Sequence, residues 1–170
     1  GLNKSKETAD KLNNVSKVVK EMADNYKNVA ATAVTEEDIK EKNKNYDFIM
    51  KTKDRTYYVA LVKIPSNSSV TINNKTTWCL RFGGSRKGRS YPNKRFLNEV
   101  EPFLRMRLPN DSDLKIVILY PSTEVILKYM NESEICEIHP SDTPYGYKVI
   151  GFDKFKSNFD DLLRTKSKGR

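Results

Sequence analysis

Asp47 lies at the start of the apolar stretch Tyr-Asp-Phe-Ile-Met, residues 46–50, and Lys63 lies near the end of another, Thr-Tyr-Tyr-Val-Ala-Leu-Val-Lys-Ile, residues 56–64. A charged turn, 51–55, separates them. Both stretches read as strands, adjacent and hairpin-like. A lysine inside a β-rich apolar run is costly unless an opposite charge or a metal-bound substrate lies near it. The rest of the inventory narrows the chemistry. There is one histidine, His139, in Glu-Ile-His-Pro with no nucleophile motif beside it. Chemistry that needs paired histidines is therefore excluded, and His139 reads as a surface or turn residue. No zinc spacing, P-loop or dinucleotide-binding glycine pattern is present. Chemistry on phosphates would have to use carboxylates, lysine and a hard cation.

The charge balance points the same way. The chain has 170 residues, 31 basic against 22 acidic, for a net charge of +9. Clustered positive charge is what phosphate binding needs. Arg81, Arg86, Lys87, Arg89, Lys94 and Arg95 fall in one stretch that contains no acid. The glycines and bases of the loop 83–89 could clamp a nucleic-acid backbone, giving affinity without sequence information. The basic tail 164–170 reads as a frayed end. DNA is the expected partner, with RNA left open.

Length suffices for a domain with its own core. No apolar run approaches the roughly 20 residues of a membrane span, so no membrane association is expected. Cys79 and Cys136 make no disulfide framework. They read as reduced core thiols, and the expected site of action is cytoplasmic.

The elements that would position these residues follow from periodicity. Leu12, Val15, Val19, Met22 and Tyr26 recur at helical spacing, predicting a helix over 5–31. Thr35, followed by three acids, looks like the cap of a short second helix that ends near residue 45. Strands follow at 46–52, 56–64, 69–72 and 76–82. Residues 93–108 read as a helix with Phe96, Val100, Phe103 and Leu104 on its buried side, and Pro102 as a kink or restart. The nearly all-apolar run 114–120 suits a strand covered on both faces. Residues 124–130 are a short helix or strand, 147–152 a late strand, and Phe155, Phe159, Leu162 and Leu163 a closing amphipathic helix. Trp78 reads as core. Tyr57 and Tyr58 point to opposite faces, and Asp111 and Asp113 are turn residues. The expected fold is α/β (α+β), a mixed central sheet flanked by helices. Residues 1–34 would form an N-terminal helical segment and 35–170 the main domain.

The order helix, Asp47 strand, Lys63 strand, helix, apolar strand resembles the core of the PD-(D/E)XK nuclease superfamily over about residues 36–120. The resemblance implies a restriction-endonuclease-like core and a metal-dependent endonuclease acting on DNA, with Mg²⁺ or Mn²⁺ as cofactor. It implies that Asp47 holds the metal and that Lys63 positions or activates the attacking water. A restriction-like or toxin setting would fit, with a second copy or an inhibitor (immunity) protein as partner. One position departs from the pattern. The acid two residues before the lysine is replaced by Leu61, beside Ala60. Three readings stay open. The acid was substituted, with Ala60 its place if a bulge shifts the register. Or it has migrated to the following helix, with Glu99 or Glu101 as the metal ligand. Or catalysis is lost and a non-catalytic nucleic-acid-binding module remains.

Overall fold

The computed structural model describes Lys17, the backbone of residues 30–33, and residues 45–52, 55–65, 68–83, 93–131 and 133–163. The chain is a mixed α+β protein with ten strands and few, short helices among these residues. Its contacts divide it into two compact units. One takes in residues up to Leu61 together with Leu108–Leu114, and the other Val62–Arg107 together with Lys115–Arg170. The boundary expected near residue 35 lies outside the described residues.

In the first unit, β1 (Ala30–Ala33) pairs antiparallel with β2 (Phe48–Lys51), which pairs antiparallel with β3 (Thr56–Lys63). The β2–β3 register runs from Phe48↔Val59 to Lys51↔Thr56. It is closed at the turn by Thr52, whose backbone N–H and hydroxyl both donate to the Arg55 carbonyl. Alternation puts Phe48, Met50, Tyr57 and Val59 in the core, at 2% exposure or less. Tyr58 is only half-buried and meets Tyr46 edge-to-face at 5.0 Å. The tyrosines therefore divide between faces as expected.

Two helical expectations concern this part of the chain. Lys17, inside the predicted helix 5–31, is helical and exposed. The rest of that helix lies outside the described residues, except that residues 30 and 31 belong to β1. Alanine favours helix, but pairing with β2 overrides that preference. The short helix predicted up to residue 45 also lies outside the described residues, save Asn45, which is not helical.

In the second unit, β7 (Leu114–Tyr120) pairs in parallel with β10 (Tyr147–Gly151). The four residues Ile116 to Leu119 are all fully buried, as a run apolar on both faces requires. A second sheet has the order β6-β5-β4-β8-β9. Its members are β4 (Ser69–Ile72), β5 (Trp78–Phe82), β6 (Asn93–Phe96), β8 (Ile126–Asn131) and β9 (Glu134–Glu137). Trp78 joins the β5 side to β10. It is 1% exposed, its ring lies 5.7 Å from that of Tyr147, and its Nε1–H donates to the Tyr147 hydroxyl at 3.1 Å. That hydroxyl in turn donates to the Lys75 carbonyl.

The helix predicted over 93–108 is corrected. Residues 93–96 form β6, paired with β5 as Cys79↔Phe96, Leu80↔Arg95, Arg81↔Lys94 and Phe82↔Asn93. A 3-10 turn follows at Asn98–Val100, then α1 (Glu101–Arg105). Pro102 sits in the first turn of α1, where its missing N–H leaves no bond unmade. It marks a restart. The buried side is Leu97, Val100, Phe103 and Leu104, while Phe96 is 59% exposed. Lys115 on β7 ties α1 down, its Nζ donating to the Leu104 carbonyl at 2.7 Å and lying near the Phe103 ring. Short helices α2 (Phe152–Phe155) and α3 (Phe159–Leu163) close the unit through Phe155, Phe159 and Leu162.

Both cysteines are free, and both are half-buried rather than core. Among the described residues no helix is long and apolar enough to cross a membrane.

Candidate nucleic-acid interface

Asp47 sits at the residue before β2, 8% exposed. Its backbone N–H donates to the Val59 carbonyl, and its carboxylate Oδ2 accepts the Leu61 backbone N–H at 2.7 Å. The side chain thus continues the β2–β3 ladder by one bond. Leu61 and Ala60 are core residues, 3% and 4% exposed. The β2–β3 register runs without a shift from Lys51↔Thr56 to Phe48↔Val59. Nearby, burial and then the negative charge of Asp113 push the Tyr58 phenol up.

Lys63 ends β3 and is exposed, not embedded in the apolar run. Among the described residues the buried lysine is Lys148 on β10, fully inaccessible, with Nζ 3.4 Å from the Ser141 carbonyl. Its position inside Tyr-Lys-Val-Ile-Gly was the signal that would have found it.

The two candidate migrated acids are committed elsewhere. Glu99, in the 3-10 turn, receives a two-pronged bond from Arg95, with Nη1 at 3.0 Å and Nη2 at 3.1 Å. Glu101, opening α1, accepts from Arg105 Nε at 2.9 Å. Burial alone would raise the Glu99 pKa, yet the Arg95 fork and a backbone hydrogen bond outweigh it and hold the carboxyl below its ordinary value. The clamp's contribution to stability is therefore complete above the ordinary value of about 4.5 and fades as pH falls through the lower folded value. Among the described residues no three His, Cys, Asp or Glu side chains gather where a metal ion could be held. The donor set that Mg²⁺ asks for, several oxygens around one point, is not assembled by these acids.

The basic residues fare differently. Arg86, Lys87 and Arg89 lie outside the described residues. Arg81, Lys94 and Arg95 lie together on the β5–β6 ribbon, but on two faces. Directly opposed residues of an antiparallel pair share a face, as do residues two apart. Arg81, Lys94, Cys79 and Phe96 therefore share one face, and Arg95 lies on the other with Leu80. Arg81 and Lys94 are like charges set side by side, an arrangement that costs free energy by itself. Among the described residues no carboxylate pairs with either. Arg81 Nε is buried and has no hydrogen-bond partner there. All four residues of β6 are exposed, and β6 is an outer strand of its sheet among the described residues. Towards the middle of the sheet the same face closes, with Ser69 and Thr71 each 3% exposed.

His139 is exposed, as expected of a turn residue. Its backbone N–H donates to Asp142, and its Nδ1 lies 3.7 Å from Glu137. It borders a cleft of about 80 Å³ with Glu124, Glu137, Gly151 and Lys154. Small-molecule sites run from roughly 300 Å³ upward, and the charges here are mixed in sign. The ribbon is the stronger candidate. Phe96, the aromatic on its charged face, is the residue that sequence reasoning missed. The alternation in Asn-Lys-Arg-Phe, read as a strand rather than a helix start, would have found it.

Compared with protein-family models, with curated proteins and with solved structures, the chain matches none.

Proposed function

We propose that this protein binds nucleic acid through the β5–β6 ribbon and does not itself cleave it. The observation that carries the reading is the Arg81–Lys94 pair. Two cations stand opposite each other without a carboxylate among the described residues, one with a buried, unbonded donor. A bridging phosphate would relieve the repulsion. The net charge of +9 supplies long-range attraction. DNA and RNA both present the required backbone, and the place of action is the cytoplasm.

The restriction-endonuclease-like core enters this proposal through its chain order. The strand that Asp47 precedes is antiparallel to the one that Lys63 ends, and a helix and an apolar strand come later. Here β4, β5 and β6 intervene before the helix. The scaffold would keep the binding role while Leu61 takes the place of the catalytic acid.

The test is fluorescence anisotropy of a labelled oligonucleotide across a salt series, beside incubation of supercoiled plasmid with Mg²⁺, Mn²⁺ or EDTA. Binding should weaken steeply with salt. The double variant Arg81→Gln/Lys94→Gln should lower affinity by roughly tenfold and reduce the salt slope by about 2, one for each lost phosphate contact. The plasmid should stay intact. Absence of binding at low salt would remove the reading. Metal-dependent cutting abolished by Lys63→Ala would replace it with the nuclease.

Glu99 offers a sharper contrast between the two readings. In the binding reading, Glu99→Gln releases Arg95 and removes a nearby negative charge, so affinity should rise by roughly threefold. In the nuclease reading the same change removes a metal ligand and should abolish cutting. Anisotropy titration at neutral pH decides between them, since Glu99 is ionised there and the clamp is fully formed.

A further inference from the structure

We infer that the preferred ligand is single-stranded nucleic acid, with one base stacked on Phe96 while Arg81 and Lys94 hold the adjoining phosphate. This rests on the binding reading above and names the substrate class of that same site.

The argument starts from register. Phe96 lies opposite Cys79, and Lys94 lies opposite Arg81, so the ring and the two cations share a face. Phe96 and Lys94 are two residues apart on one strand, a rise of roughly 6.8 Å. Successive nucleotides of an extended single strand repeat on a similar scale, so a base and its neighbouring phosphate can reach both together. The aromatic ring is 59% exposed, although large apolar side chains are ordinarily buried. Leu97 and Val100, which follow it in the chain, are fully buried. In a duplex the base faces are already stacked, and an aromatic ring on a flat strand reaches only backbone. In a single strand each base offers a π-face, and an aromatic ring beside a cationic groove is how such strands are held without sequence preference. Closure of the sheet face at Ser69 and Thr71 confines the contact to the outer two strands. That is narrow for a duplex and adequate for a few nucleotides.

The experiment uses the full chain and labelled single strands of DNA and of RNA, each about 16 nucleotides long, beside a duplex of the same length. Three ribbon variants are titrated by anisotropy at one salt concentration: Phe96→Ala, Phe96→Tyr and the Arg81→Gln/Lys94→Gln pair. Single strands should bind at least tenfold more tightly than duplex. Phe96→Ala should lose about tenfold on single strands and little on duplex, and Phe96→Tyr should retain affinity because its ring still stacks. Because residue 96 is exposed, these variants leave the core intact. Tighter binding to duplex would overturn the inference. So would an unchanged affinity in Phe96→Ala while the Arg81→Gln/Lys94→Gln pair still weakens binding, and that result leaves the binding reading standing. No binding to any of the three ligands removes both.

Discussion

Trp78→Ala is expected to lower the unfolding free energy by about 3–5 kcal/mol, the range for emptying a large aromatic site in a core. Trp78 is the largest fully buried side chain, and it links β5 to β10 through ring packing and a hydrogen bond to Tyr147. Removing it leaves a cavity and takes away the donor that the Tyr147 hydroxyl accepts. Trp78→Phe should recover most of this, losing the N–H and part of the volume, at about 1–2 kcal/mol. Urea unfolding followed by circular dichroism reads both, since the sole tryptophan is the residue being changed. A loss below about 1 kcal/mol for alanine would mean that Trp78 does not hold β5 against β10.

Asp47→Ala should cost about 1.5–3 kcal/mol, the range for a buried hydrogen bond to a charged group. The lost partner is the Leu61 N–H, which has Asp47 Oδ2 as its acceptor at 2.7 Å. Asp47→Asn retains a side-chain carbonyl at that place and should restore at least half of the loss. A metal-ligand role predicts otherwise, because the amide would be as defective as alanine in function while stability scarcely moved. Equal stability of wild type and Asp47→Ala in urea would sink the ladder role. Asn and Ala variants equally destabilised would show that the charge itself is needed.

How far the sequence could be read depended on whether a residue's fate is local. Strands 48–51, 56–63, 69–72, 114–120 and 147–151 were legible because apolar runs with β-branched residues have few other uses. Trp78 as core was legible for the same reason, and His139 as a surface or turn residue from the proline that follows it. The stretch 93–108 misled because Val100, Phe103 and Leu104 do have helical spacing, and Phe96 extends it backward by one turn. Only pairing with β5 makes 93–96 a strand, and pairing is not written in a local period. The polar strand β9, outermost in its sheet among the described residues, carries no periodic signal at all, with only Cys136 half-buried. The lysines show the same limit. Lys63 and Lys148 each sit in an apolar run, yet one is exposed and the other wholly buried. Strand ends and neighbours, not composition, decide between them. At the candidate site, the basic cluster was visible as a count of charges. Its division into Arg81 and Lys94 on one face and a neutralised Arg95 on the other came only with the register. Asp47 was conspicuous, but its work as a rung of the ladder depended on where Leu61 lies.

Strand β6 carries one more consequence. Among the described residues it is the outer strand of its sheet, and an outer strand offers unpaired backbone groups to a passing chain, so that two identical edges can zip together into aggregates. Lys94 guards this edge by repelling the same residue on another molecule. A polyanion that neutralises that charge lifts the guard at the moment of binding. The protein should thus be most prone to coalesce near charge balance with its ligand, and most dispersed when free or when the polyanion is in large excess.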